Sequence, residues 1–180
     1  SGEELRDSVL QIGPGLDHVM GGTLLKVKNR AYVTGSGTNI TNEYDNLRRS
    51  VYLPVIRSAV FDVLQTMDFP DPAVSNGDRI TTTVAPQALL MMNSSLVQKG
   101  TRDLAKQVVN LPADQRVGTV YQLVLSRQPS GDDADLARQF IAEAESLARK
   151  QGSDSAEATL KAWRSFSRVL LSSNDFMYVE

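Results

Sequence analysis

The stretch 86–171 constrains the fold most, because apolar residues recur there every three or four positions and helix-capping residues punctuate the runs. Leu89, Leu90 and Met92, then Leu96, Val97, Leu104 and Val108, make the first run. Asn93-Ser94-Ser95 and Gly100 are expected to break it in two. Val117, Val120, Tyr121, Val124 and Leu125 form a second stripe, closed by Gln128-Pro129. Ser130 with Asp133 caps a long third run carrying Leu136, Phe140, Ile141, Ala144 and Leu147. Asp154 with Glu157 repeats that arrangement ahead of Leu160, Trp163, Ser167, Leu170 and Leu171. Each amphipathic helix has to bury its stripe against another, so such a succession predicts helices packed on helices.

The first half is more mixed. Ser1 and Glu4 have capping-box spacing ahead of Leu5, Val9 and Ile12, and Gly13-Pro14-Gly15 stops that helix. Between Gly21 and Asn46 the composition turns to Gly, Thr, Asn and Lys. The runs 24–28 and 31–33 flank Asn29-Arg30 as a small hairpin would, and 34–46 reads as a loop. Residues 49–53 alternate polar and apolar like a strand. Pro54 then opens a predicted helix with Ile56, Val60, Val63, Leu64 and Met67 on one face, ended by the turn at Pro70 and Pro72 and an extended segment to Thr83. The expected fold is mainly α: a compact bundle of six or seven helices with a small β-hairpin or short strands near 24–53, in a single domain over 1–180.

Composition removes several function classes. The 180 residues carry no cysteine, so disulfides, thiolate nucleophiles, Cys-based zinc sites and covalent haem attachment through CxxCH are absent from this chain. Formal net charge is −2, which supplies no general attraction to nucleic acid. The longest apolar stretch, 85–92, is far short of a membrane span and contains Gln87, so no membrane insertion is expected. Ser1-Gly2 reads as a remnant of expression, which leaves open a signal peptide or anchor on a longer parent.

Candidate chemistry concentrates between 48 and 93. Arg49, Tyr52, Arg57, Asp68, Asp71, Arg79 and Gln87 combine planar hydrogen-bonding groups with an aromatic ring, the equipment for holding sugar hydroxyls, with Tyr52 or Trp163 to stack on a pyranose face. The same residues equally suit a polar network that fixes an extended segment against helices. Asp68, Asp71, Asn76 and Asp78 invite calcium, but their spacing is not that of an EF-hand. Asp68 and Asp71 are also the pair a glycosidase reading would use. His18 is the sole histidine and no GxSxG elbow is present, which leaves a Ser-His-Asp hydrolase without its parts. No catalytic residue and no metal ligand set is assigned on this reading.

Four strings carry a family resemblance: RDSVL (6–10) with GLDHVMGG (15–22), RRSVYLPVIRS (48–58), DFPDPAVSNGDRITTTVAPQALLMMNSSLV (68–97), and YQLVLSRQPS (121–130) with LLSSNDFMYVE (170–180). In order and spacing they resemble the PSD1 family, domain of unknown function 1553, of planctomycete cytochrome-associated envelope proteins. The sequence departs from the family's pattern at His18, where Pro is common, and at Asn76 and Asp78, in a loop that often reads Cys-x-Arg-Arg. The resemblance implies an extracytoplasmic or cell-envelope setting and a parent polypeptide carrying c-type cytochrome domains. It further implies that any haem c belongs to those other domains, and a role in handling polysaccharide. The expected activity is a non-catalytic accessory domain that binds polysaccharide or another envelope ligand. The alternatives are a docking module that assembles cytochrome domains and, behind it, a glycan hydrolase.

Overall fold

Eight α-helices are present among the described residues of the computed structural model, which are 1–25, 44–57, 60–75, 77, 79, 82 and 85–178. They are α1 (Gly2–Ile12), α2 (Asp62–Thr66), α3 (Ala85–Asn93), α4 (Ser95–Val109), α5 (Arg116–Leu125), α6 (Gly131–Lys150), α7 (Ser155–Leu171) and α8 (Asn174–Met177). The mainly α expectation holds. The chain divides into two units, one of Ser1–Gln11 with Gly15–Leu90 and one of Ile12–Pro14 with Met91–Glu180.

In the second unit α7 is the organising helix. It packs most extensively on α4 and α6 and also meets α5 and α8. Its buried row runs Ala158, Ala162, Trp163, Phe166, Ser167, Leu170 and Leu171, at the spacing of a single helical face. The two alanines let neighbours approach, and Phe166 meets Trp163, Tyr121 and Phe140 at ring distances of 6.0, 6.2 and 5.9 Å. Trp163 is therefore a core residue and does not offer a sugar-stacking face. The buried hydroxyls of Thr101 and Ser167 donate to the carbonyls of Val97 and Trp163, one turn back in their own helices.

The capping signals behave as their chemistry demands. Ser130 and Asp133 form a reciprocal box at α6, and the Asp154 carboxylate accepts the Glu157 N–H at α7. At Ser1 the hydroxyl accepts from the Glu4 N–H at 3.4 Å while the terminal ammonium bonds the Glu4 carboxylate. The break after α3 falls at Ser94, which caps α4 by accepting from the Val97 N–H. Gly100 does not interrupt α4. It lies buried in the helix because the Gly13 backbone presses on it: a Cβ on Gly13 would stand 2.6 Å from the Gly100 Cα.

Helix faces are less well anticipated. In α6 the buried row is Ala137, Ile141 and Ala148, while Leu136 is 66% exposed and Leu147 is also exposed. In α3 the fully buried apolar residue is Met91, with Leu89 and Met92 outside. A stripe of alternating sizes fits two adjacent registers, and the small alanines win where helices come closest.

The first unit departs further from expectation. The helix predicted from Pro54 shrinks to five residues of α2. Leu53, preceding proline, is extended, as is Phe61. Ile56 and Leu53 instead bury against Tyr44, on which Phe61 stacks at 4.5 Å. A run rich in β-branched residues gives up little by leaving the helix for that cluster. The strand expected over 49–53 is not formed either: Ser50–Tyr52 is a 3-10 turn. Strand-like pairing among the described residues is one isolated parallel bridge, Asp17 with Arg48. Most of the predicted hairpin and the loop beyond it, 26–43, lie outside the described residues.

Candidate functional site

Arg6, on α1, is 1% exposed and is the largest fully buried side chain among the described residues. Its Nη1 donates to the Arg48 carbonyl at 2.8 Å and to the Ser50 hydroxyl at 3.2 Å. Its Nη2 donates to the carbonyls of Asn46 at 2.7 Å and Tyr44 at 3.4 Å. The neighbouring Asp7 accepts from the Ser50 N–H and, at 2.6 Å, from its hydroxyl. These contacts explain the missing strand: a side-chain fork takes the carbonyls that a partner strand would otherwise have paired, and Asp7 takes the amide. Burial disfavours the Arg6 cation, and the nearby Asp7 carboxylate opposes that.

Beyond this hub the segment 47–57 mixes buried residues, Ser50, Leu53 and Ile56, with exposed ones. Arg48 donates to the Gly21 carbonyl at 2.6 Å, stands 3.7 Å from the Asp17 carboxylate and lies over the Tyr52 ring at 4.7 Å. Arg49 and Arg57 are exposed and pair with no carboxylate among the described residues. Tyr52 between them is half-buried. Val51 is 70% exposed, and Val55 and Leu47 are exposed as well.

Asp68, Gln87 and Thr82 form a separate cluster. Asp68 ends α2 in the left-handed region at φ 56°, and the Phe69 N–H reaches back to the Leu64 carbonyl at 3.1 Å. Its carboxylate accepts from the Thr82 N–H at 2.6 Å, the Thr82 hydroxyl at 2.8 Å and the buried Gln87 amide at 3.2 Å. The Thr82 amide, then its hydroxyl, hold the Asp68 carboxyl below the usual carboxylate range against the cost of burial. Asp71 is exposed, and its carboxylate accepts the Ala73 N–H at 2.8 Å in an Asx turn. Arg79 makes a two-pronged ion pair with Glu3 at 2.7 and 2.8 Å and lies over the Phe69 ring.

Of the seven candidate residues, Asp68 and Gln87 touch each other, and Arg49, Tyr52 and Arg57 lie on one segment, with the two arginines exposed and Tyr52 half-buried. Arg79 is held by Glu3 and Asp71 by its own turn. Asn76 and Asp78 lie outside the described residues, and no group of three acidic or histidine side chains gathers as a metal set among the described ones. His18 is exposed beside the Gln11 amide oxygen at 3.3 Å. The hub residue Arg6 escaped sequence reasoning, although an arginine on the apolar side of a predicted helix, beside Leu5 and Val9, was a signal for a buried cation.

In the second unit Arg127 bridges Asp133 and Asp175 at 2.8 and 2.9 Å and lies over the Tyr121 ring. The depressions there are modest. One of about 470 Å³ is formed by residues of α6 alone, and one of about 300 Å³ by residues of α4 and α7, α6 and its end.

The polar clusters thus define a helical domain whose charges mainly lock loops onto helices. The chain matches the family described as PSD1, protein of unknown function (DUF1553), over residues 1–141, and it belongs to that family. No curated protein and no solved structure matches it. No helix among the described residues is long and apolar enough to cross a membrane.

Proposed function

We propose that this chain is a non-catalytic accessory domain that binds polysaccharide at the cell envelope, beside c-type cytochrome domains of a longer parent that carry the haem. The supporting observation is the segment 49–57: Arg49 and Arg57 are exposed without carboxylate partners among the described residues, Tyr52 lies between them in the sequence with Arg48 over its ring, and Arg6 ties the start of the segment at the Arg48 carbonyl and the Ser50 hydroxyl. Guanidinium donors without ion-pair partners, on a segment whose start is already tied down, can hold hydroxyl groups at a reduced ordering cost. The non-catalytic reading draws support from Asp68 and Asp71, whose carboxylates already accept from amides and hydroxyls and are poorly placed to act as an acid and base pair.

Calorimetric titration of the chain with a panel of neutral and acidic polysaccharides tests this. Binding that falls about tenfold or more, ~1.4 kcal/mol, in Tyr52→Ala and in Arg49→Ala/Arg57→Ala is the expected result. Failure to bind any member of the panel sinks the reading. A docking role in assembling cytochrome domains is the second reading, favoured by the exposed Leu47, Val51 and Val55 on the same segment. It predicts co-purification with the parent's other domains, abolished by Val51→Asp/Val55→Asp.

A further inference from the structure

We infer that the groove formed by α4, α6 and α7 binds a small, doubly charged oxyanion of the sulfate or phosphate type, gripped by Arg164 and Arg168 with Gln98 and Lys161 beside them. The groove measures about 300 Å³, and these four side chains are among those lining it. That volume is at the low end for small-molecule sites and suits one ionic group better than a cofactor. Lys161, Arg164 and Arg168 stand three and four residues apart on α7 and so share a stripe, as do Gln98 and Arg102 on α4.

Several cations elsewhere in this unit are paired with carboxylates: Arg127 with Asp133 and Asp175, Arg138 with Asp135, Arg149 with Glu145, Lys106 with Asp103. Arg102, Arg164 and Arg168 are instead grouped on α4 and α7, and none has a carboxylate within ion-pair distance among the described residues. The hydrogen bond Arg164 makes is a long one, 3.5 Å to the Gln98 amide oxygen. Burial, then the charges of Arg102 and Arg168, disfavours the Arg164 cation. Two carboxylates on the groove-forming helices are engaged, Glu145 by Arg149 and Glu157 by Lys161. Guanidinium groups crowded without a counter-charge are stabilised by an anion whose oxygens match their forks, which a tetrahedral dianion supplies. The α7 cations lie beyond the residues that match the family and in the other unit from 49–57, so this site stands or falls separately from the polysaccharide reading.

The test titrates the full chain with inorganic phosphate, inorganic sulfate, dextran sulfate and unmodified dextran, with NaCl holding ionic strength constant. The Arg164→Gln/Arg168→Gln variant is compared with Arg138→Gln, which removes an exposed, paired arginine elsewhere on α6, and Arg168→Gln alone substitutes if the double variant does not fold. Expected is binding of the inorganic ions, of dextran sulfate or of both, weakened at least about tenfold in the groove variant and unchanged in Arg138→Gln. The groove variant should also melt higher than wild type without added dianion. Binding of the inorganic ions identifies a free ion as sufficient, and binding of dextran sulfate alone identifies an ester carried on a polymer. No binding beyond the effect of chloride, or equal weakening in Arg138→Gln, overturns the inference.

Discussion

Arg6 and Asp68 bring a charge against the fold in opposite circumstances. Arg6 is sealed in and holds four oxygens from 44–50. Replacing it with leucine leaves those carbonyls without their donor and Asp7 without its neighbouring cation. The expected loss is about 3–5 kcal/mol in urea denaturation, the range for breaking one side of a buried charged network. Lysine should recover only part of it, since one ammonium nitrogen cannot stand in for the two separated guanidinium nitrogens that each reach two of these oxygens. Asp68 is at a helix end with its carboxylate stabilised as the anion. A carboxyl whose folded pKa is depressed stabilises the fold above its unfolded value, near 3.9, and that contribution is lost as pH falls through the folded value. Asp68→Asn, which tolerates the left-handed backbone, should therefore be less stable at neutral pH and lose less on acidification. Denaturation curves that run parallel for the two proteins from pH 7 to pH 2 would contradict this.

At the scale of elements, the crossing at Gly13 and Gly100 shows how a turn and a helix meet with no side chain between them. The Gln107 amide donates to the Gly13 carbonyl at 2.9 Å, holding the turn against α4. A methyl at Gly13 meets backbone, which cannot rotate away, so Gly13→Ala should destabilise by about 1–3 kcal/mol despite lowering chain entropy in the unfolded state. Thermal melts measure it. An increase in stability would mean the turn lifts off the helix without penalty. The 3-10 turn at Ser50–Tyr52 makes a related point: alternation of polar and apolar residues permitted a strand, but a strand needs a neighbour for its carbonyls and Arg6 had taken them.

For the whole molecule, the aromatic cluster on α7 carries much of the second unit's core. Phe166→Ala removes a ring that meets three others and should cost about 3–5 kcal/mol in chemical denaturation. A cost below about 1 kcal/mol would show that the helices collapse onto the space. The strings that carried the family resemblance prove to be the ones that hold these contacts: Arg6 and Asp7 grip Arg48 and Ser50, Asp68 grips Thr82 and Gln87, and Arg127 grips Asp175.

Helix positions in 85–171 were legible in advance because a cap acts within four residues and a stripe repeats every three or four, so both are local. The sizes of the residues on a stripe left its register open, which is how Leu136 came to face solvent and Ala137 the core. Charges were readable as charges but not as pairs. Arg6 meets the backbone carbonyl of Arg48 across 42 positions, Arg79 pairs with Glu3 across 76, and Arg127 pairs with Asp175 across 48. Local chemistry therefore determined that this chain is helical, cysteine-free and a PSD1 protein. Which polar groups remain available to a ligand was decided only when distant segments packed together and used up the rest.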